Sequence, residues 1–117
     1  MRAAWLLVVL AACEPAWGVN VRVKYPGVVA VPVEDATVAV ACAEGAWSSG
    51  VMAVRTTPDG QGHVGGIGHM FPVGCDVFVA KPGFQTQRIR YQDLCPNGPD
   101  GCDRLFAFDL VLSPMPQ

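Results

Sequence analysis

Positive charge is scarce in this chain. Its 117 residues hold 8 Lys+Arg against 10 Asp+Glu, for a net charge of -2, and charged residues make up only 15%. A nucleic-acid binder needs a basic surface that displaces counterions from phosphates, so that class is excluded. Leucine and isoleucine are thin as well. Past residue 18, four Leu and two Ile stand against sixteen Val, a poor composition for helices. Long apolar runs are missing. The longest, residues 3–12, spans ten residues, and a bilayer-spanning helix needs about 20. What the chain does have is valine, 13 Gly and 10 Pro, within a 51% apolar composition. That balance favours strands and tight turns and excludes a disordered chain. The length allows one domain.

Residues 1–18 read as an export signal. Arg2 supplies a positive start, residues 3–12 an apolar stretch of signal-peptide length, and Glu14 and Pro15 end it. Two cleavage positions compete. Ala16-Trp17-Gly18 places small residues at the -3 and -1 positions, so a cut after Gly18 gives a mature chain starting at Val19. Alternatively, Leu10-Ala11-Ala12-Cys13 resembles the bacterial lipobox. In such precursors the cysteine thiol is acylated and the chain is cut just before it. Lipidation at Cys13 would hold the protein on a membrane without a spanning helix. The expected location is the cell envelope, as a membrane-anchored lipoprotein, or periplasmic or secreted if the cut falls after Gly18.

Either cut takes Cys13 out of the redox count. Cys42, Cys75, Cys95 and Cys102 remain, an even number in an exported chain, which is the pattern of two disulfides. Three connectivities are open. Cys95 and Cys102 flank Pro96-Asn97-Gly98-Pro99-Asp100-Gly101, a turn-rich insert that brings its ends together easily. Zinc is not expected, because spacings of 33, 20 and 7 contain no tight C-x-x-C pair.

The rest of the chain alternates. In residues 19–25, Val19, Val21, Val23 and Tyr25 fall on one face while Asn20, Arg22 and Lys24 fall on the other, the period of a half-buried strand. Residues 28–33 carry Pro32 and read as an extended connection or edge. Further strands are expected at 36–42, 51–57, 61–71, 75–80, 85–91 and 105–112, with a loop at 45–50. Thr57-Pro58-Asp59-Gly60 is a tight turn. About seven short strands without a helix imply an all-β sandwich. Its expected span is residues 19–113, with 114–117 as a short tail.

Three blocks of sequence resemble carboxypeptidase regulatory-like domains. Val33-Glu34-Asp35-Ala36-Thr37-Val38 is similar to their P-V-x-G-A-x-V opening. Arg55-Thr56-Thr57-Pro58-Asp59-Gly60-Gln61-Gly62 is similar to their T-x-x-D-G hairpin. Residues 71–84, from Phe71-Pro72-Val73-Gly74 through Lys81-Pro82-Gly83-Phe84, resemble their L-P-x-G segment and the strand after it. The departures are Asp35, where glycine is usual, and Gly65, Gly66 and Gly68, which weaken the fourth strand. The resemblance implies a seven-stranded transthyretin-like, or Ig-like, sandwich acting as a non-catalytic module. It also implies that the strands matching 36–42 and 75–80 are antiparallel neighbours. Cys42 then faces Cys75, Val40 faces Val77 and Val38 faces Val79. On that register the disulfides are Cys42–Cys75 and, of the remaining cysteines, Cys95–Cys102.

Catalytic and metal chemistry find little support. Gly60-Gln61-Gly62-His63-Val64-Gly65 matches G-x-G-x-x-G, but a turn precedes it and no helix follows, so it reads as a hairpin. His63 and His69 would sit about 20 Å apart along one strand, too far to share an ion. Ser48, Ser49 and Ser113 have no spacing that brings them to a histidine. Asn97, Asp100 and Asp103 lack the EF-hand spacing and read as turn residues. The end of the chain, Ser113-Pro114-Met115-Pro116-Gln117, lacks the Tyr-Arg-Gly-Ser motif of the hydrolases that share a transthyretin-like fold. No enzyme, cofactor or metal is therefore expected. The expected partner is a protein or a glycan. Trp47, in the 45–50 loop, is the candidate contact, the alternative being a Trp folded over the end of the sandwich. A structural or assembly subunit is the second reading, and a small hydrolase the third.

Overall fold

Valine on alternate positions dictates two packed sheets. The computed structural model describes residues 16–42, 49–67, 74–95 and 105–116. The strands are β1 (Ala16–Lys24), β2 (Thr37–Cys42), β3 (Ser49–Val51), β4 (Ala53–Arg55), β5 (Gln61–Ile67), β6 (Cys75–Ala80), β7 (Gln87–Arg90) and β8 (Leu105–Val111), with one short helix, α1 (Tyr91–Leu94). They form two four-stranded sheets, in the orders β3-β5-β1-β8 and β4-β2-β6-β7. Val19, Val21, Val23 and Val64 of one sheet meet Val38, Val77 and Val79 of the other, all fully buried. Each such valine contributes roughly 1.5–3 kcal/mol of transfer free energy.

The strand count differs from the seven expected. Residues 51–57 do not form one strand. β3 pairs with β5 in the first sheet, β4 pairs with β2 in the second, and Met52 sits between them. A segment that changes sheets closes one side of the sandwich covalently, which a period-two pattern alone cannot reveal. Eight strands result among the described residues, and Ser49 and Gly50 lie in β3 rather than in a loop. A second correction concerns residues 85–91. The alternation of Gln87 and Ile89 does not extend to Tyr91, where the chain turns into α1. Tyr91 goes inside, edge-on to Trp17 at 5.4 Å and to Phe106 at 6.0 Å. Tertiary packing overrides the local pattern there.

β1 also starts earlier than the residues 19–25 expected. Ala16, Trp17 and Gly18 belong to it, paired with Ile67, Gly66 and Gly65 of β5. Trp17 is 2% exposed. The glycines of β5 do not interrupt the strand. Gly65 is required, because a Cβ there would collide with the Trp17 carbonyl oxygen and the Gly18 Cα. β8 runs parallel to β1 and completes the sheet.

The register between β2 and β6 is the one the resemblance implies: Cys42↔Cys75, Val40↔Val77 and Val38↔Val79. Cys42 and Cys75 are disulfide-bonded. Asp35, which stands where the resembling family has glycine, adopts φ 63°, the left-handed region that glycine enters freely. Its carboxylate accepts a hydrogen bond from Arg55 Nη1 at 3.1 Å. Beneath it, the buried Thr56 hydroxyl accepts from the Ala36 amide at 2.8 Å and donates to the Val33 carbonyl at 2.7 Å. One side chain thus satisfies two buried backbone groups where no ladder is available.

Candidate functional site

The strands define two ends of the sandwich. At the leader end, β1 and β8 begin, β5 ends, and the Cys42–Cys75 bridge joins β2 to β6. Cys95 packs into the core below α1, 8% exposed. It is itself disulfide-bonded, and its partner cysteine lies outside the described residues. Cys13, Trp47, His69 and Cys102 also lie outside them, as do Asn97, Asp100 and Asp103. Tyr91 closes this end. Burial pushes its hydroxyl well above the ordinary tyrosine range, opposed by the Gly18 backbone, so it stays neutral.

Among the described residues, several of the exposed large apolar side chains lie at the far end. Pro26 and Gly27 terminate β1, Gly27 at φ 144°. The 26–32 loop is then held at its base. Tyr25 N–H donates to the Val31 carbonyl at 2.9 Å, Val33 N–H donates to the Val23 carbonyl at 2.9 Å, and Lys24 bridges to Pro32. Val33 anchors the loop in the core, but Val28 is 106% exposed, Val29 74% and Val31 48%. Solvated loops normally carry Asn, Asp, Gly or Ser at such places. Here three β-branched apolar side chains are exposed on a loop whose base is pinned. Tyr25 stacks obliquely on Phe84 at 5.6 Å beside it, and Phe84 bridges to Pro114.

Next to this loop is an open recess of about 390 Å³ whose walls include Asp35, Arg55, Lys81, Phe84 and Met115. Arg55 and Asp35 form an ion pair across it, and Lys81 Nζ donates to the Glu34 carbonyl at 2.9 Å. Met115 is 56% exposed. The lining of the recess mixes apolar side chains with charged ones.

A second open recess, about 560 Å³, lies on the outer face between β1, β4 and β5. Asn20, Val54, Arg55, Thr57, Gln61 and His63 line it, and Asn20 Nδ2 donates to Gln61 Oε1 at 2.9 Å. His63 sits here on β5, opposite Asn20 of β1. Among the described residues that line the recess there is no carboxylate. Among the described residues, no three His, Cys, Asp or Glu side chains come together to hold a metal ion. No described helix is long and apolar enough to cross a membrane.

Sequence reading missed the 26–32 loop as a surface. The available signal was Val28, Val29 and Val31 bracketed by Pro26 and Pro32, with no polar turn residue between. No family model, curated protein or solved structure matches this chain.

Proposed function

We propose that this chain is an exported, non-catalytic β-sandwich module of the cell envelope, tethered at Cys13 and contacting a protein partner through its far end. The observation that carries the reading is the row Val28, Val29 and Val31, projecting from a pinned loop. It favours a protein over a glycan, because sugars are held by planar aromatic and polar side chains rather than by isolated valines. The carboxypeptidase regulatory-like kinship belongs to the same proposal. Two facts support it: the two-sheet architecture, and the left-handed Asp35 at the position where that family carries glycine.

Trp17 supports the tether. A cut after Gly18 would remove a core tryptophan and three ladder residues, whereas a cut before Cys13 leaves β1 whole. The mature chain would then leave only Glu14 and Pro15 between the acylated cysteine and β1, so the anchor joins the leader end and the far end lies a strand's length from it. The test is cross-linking in the native envelope with wild-type chain and with Val28→Asp plus Val29→Asp. A partner held by the wild type and lost from the double variant supports the reading, and identical capture by both refutes it. A second reading, an assembly subunit, is favoured by the length of β8, an edge strand of seven residues among the described strands.

A further inference from the structure

We propose that β8 is the surface through which two copies of this chain pair, edge to edge and antiparallel, about a twofold axis at Phe108. Natural sheets protect their edges with short strands, charges, prolines or bulges, because an open edge is a template for another strand. Three of the four edges here are protected in that way. β3 and β4 have three residues each, and β7 has four, including Arg88 and Arg90. β8 has seven residues, contains neither proline nor lysine, and runs in unbroken register with β1 from Leu105 to Val111. Its single charge, Asp109, is drawn back onto β1 by Arg22 at 2.9 Å and Lys24 at 3.5 Å.

The direction of the backbone groups follows from the ladder. Leu112 N–H bonds the Lys24 carbonyl at 2.9 Å, so Phe106, Phe108 and Leu110 also turn their backbone groups toward β1. Leu105, Ala107, Asp109 and Val111 turn theirs to the side away from β1. Among the described residues, the hydrogen bonds that reach this side gather at the far end of the strand: Gln87 Nε2 donates to the Val111 carbonyl at 2.8 Å, and just past β8 the Gln85 N–H donates to the Ser113 carbonyl at 2.9 Å and Phe84 bridges to Pro114, which leaves the stretch from Leu105 to Asp109 for a second strand. The Val111 carbonyl keeps a second lone pair.

The sequence of β8 is complementary to itself in one register. In an antiparallel pair, outward-facing residues must oppose one another. An axis at Asp109 would set two carboxylates face to face, which is destabilising. An axis at Ala107 would lay Asp109 against Leu105 and leave Val111 uncovered. An axis at Phe108 opposes Leu105 to Val111 and Ala107 to Asp109, with Phe108 against Phe108 on the core side. Leu105 and Val111 are 62% and 53% exposed in the single chain, and this register covers both of them twice. The occupant is therefore a second copy. A single-strand edge buries less than the ~1,600 Å² of a standard interface, so association should be concentration-dependent. Because β1 is parallel to β8, the two N termini leave the dimer at opposite ends. Two tethered copies on one bilayer would thus lie with their strands along it. The pairing itself does not rest on the tether.

Sedimentation of the exported chain carrying Cys13→Ser, across a range of concentrations, tests this with no acyl chain to drive association. A reversible dimer is expected. Ala107→Asp sets a new carboxylate opposite Asp109 of the copy at two places and should weaken dimerisation about tenfold. Ala107→Lys sets an ammonium there instead and should preserve or tighten it. Ala107 is exposed, and circular dichroism checks that both variants fold. A monomer at every concentration, including one whose β8 takes up a foreign peptide, overturns the proposal. So does a dimer indifferent to Ala107→Asp, or one lost in Ala107→Lys.

Discussion

Deleting residues 16–18 should cost the sandwich much of its stability. Trp17 is 2% exposed and stacks edge-on to Tyr91 at 5.4 Å, which in turn stacks on Phe106 at 6.0 Å. Truncating a buried tryptophan to alanine costs about 3–5 kcal/mol, through lost transfer free energy and the cavity left behind. A domain of this size has a total stability of only about 5–15 kcal/mol. Removing Ala16 and Gly18 as well strips the ladder to Ile67 and Gly65, so a chain starting at Val19 should lose at least as much as Trp17→Ala. The thermal midpoint should fall by roughly 10–30 °C. Urea unfolding, followed by circular dichroism, compares a chain starting at Glu14, a chain starting at Val19, and Trp17→Ala in the longer chain. Trp17→Phe, which keeps a ring against Tyr91, should lose less than Trp17→Ala. If the chain starting at Val19 unfolds at the same midpoint and with the same slope as the longer one, residues 16–18 are not part of the core. The case for a cut before Cys13 then goes with it. The mass of the exported chain reads the cut directly, and an unmodified product beginning at Val19 refutes the tether.

Replacing Cys42 and Cys75 together by alanine should cost ~3–4 kcal/mol, from the loop-closure entropy of a 33-residue separation, measurable as a lower urea midpoint. Peptide mapping without reductant should show Cys42 linked to Cys75 and Cys95 linked to Cys102; a Cys95 peptide joined to Cys13 would refute the second pairing. Thr56→Val keeps the shape but orphans the Ala36 amide and the Val33 carbonyl, so about 1–3 kcal/mol should be lost. Thr56→Ser should recover most of it, and equal losses in both variants would mean the methyl group matters rather than the hydroxyl. Asp35→Gly should raise the unfolding free energy by up to about 1 kcal/mol, read as a higher urea midpoint, since it relieves a left-handed non-glycine residue at the expense of an exposed ion pair worth little. Asp35→Val should lower it, and a reversed order would sink the backbone argument.

The sequence by itself determined the class of the fold and most of its strands. Valine at every second position of β1, β2 and β6 leaves no ambiguity about which face is inside, because slipping any of these strands by one residue would expose it. For the same reason Cys42 and Cys75 could be placed opposite each other once β2 and β6 were taken as neighbours. Glycine and proline located the turn at residues 57–60, where Gly60 has φ 79°. The tertiary structure alone decided the rest. Residues 51–57 read as one strand, yet residues 49–55 serve two sheets, because closing the side of a sandwich is a property of how the sheets face each other. Tyr91 leaves the strand pattern because the space between Trp17 and Phe106 accepts a ring. Trp17 itself reads as part of a discarded leader until β5, with Gly65 and Gly66, gives it a wall to pack against. The exposure of Val28, Val29 and Val31 was equally hidden, since an apolar triplet looks the same inside or outside until the surrounding elements leave it uncovered. Local pattern sets which way a side chain points along its own element; only the packing of distant elements decides whether anything lies in that direction.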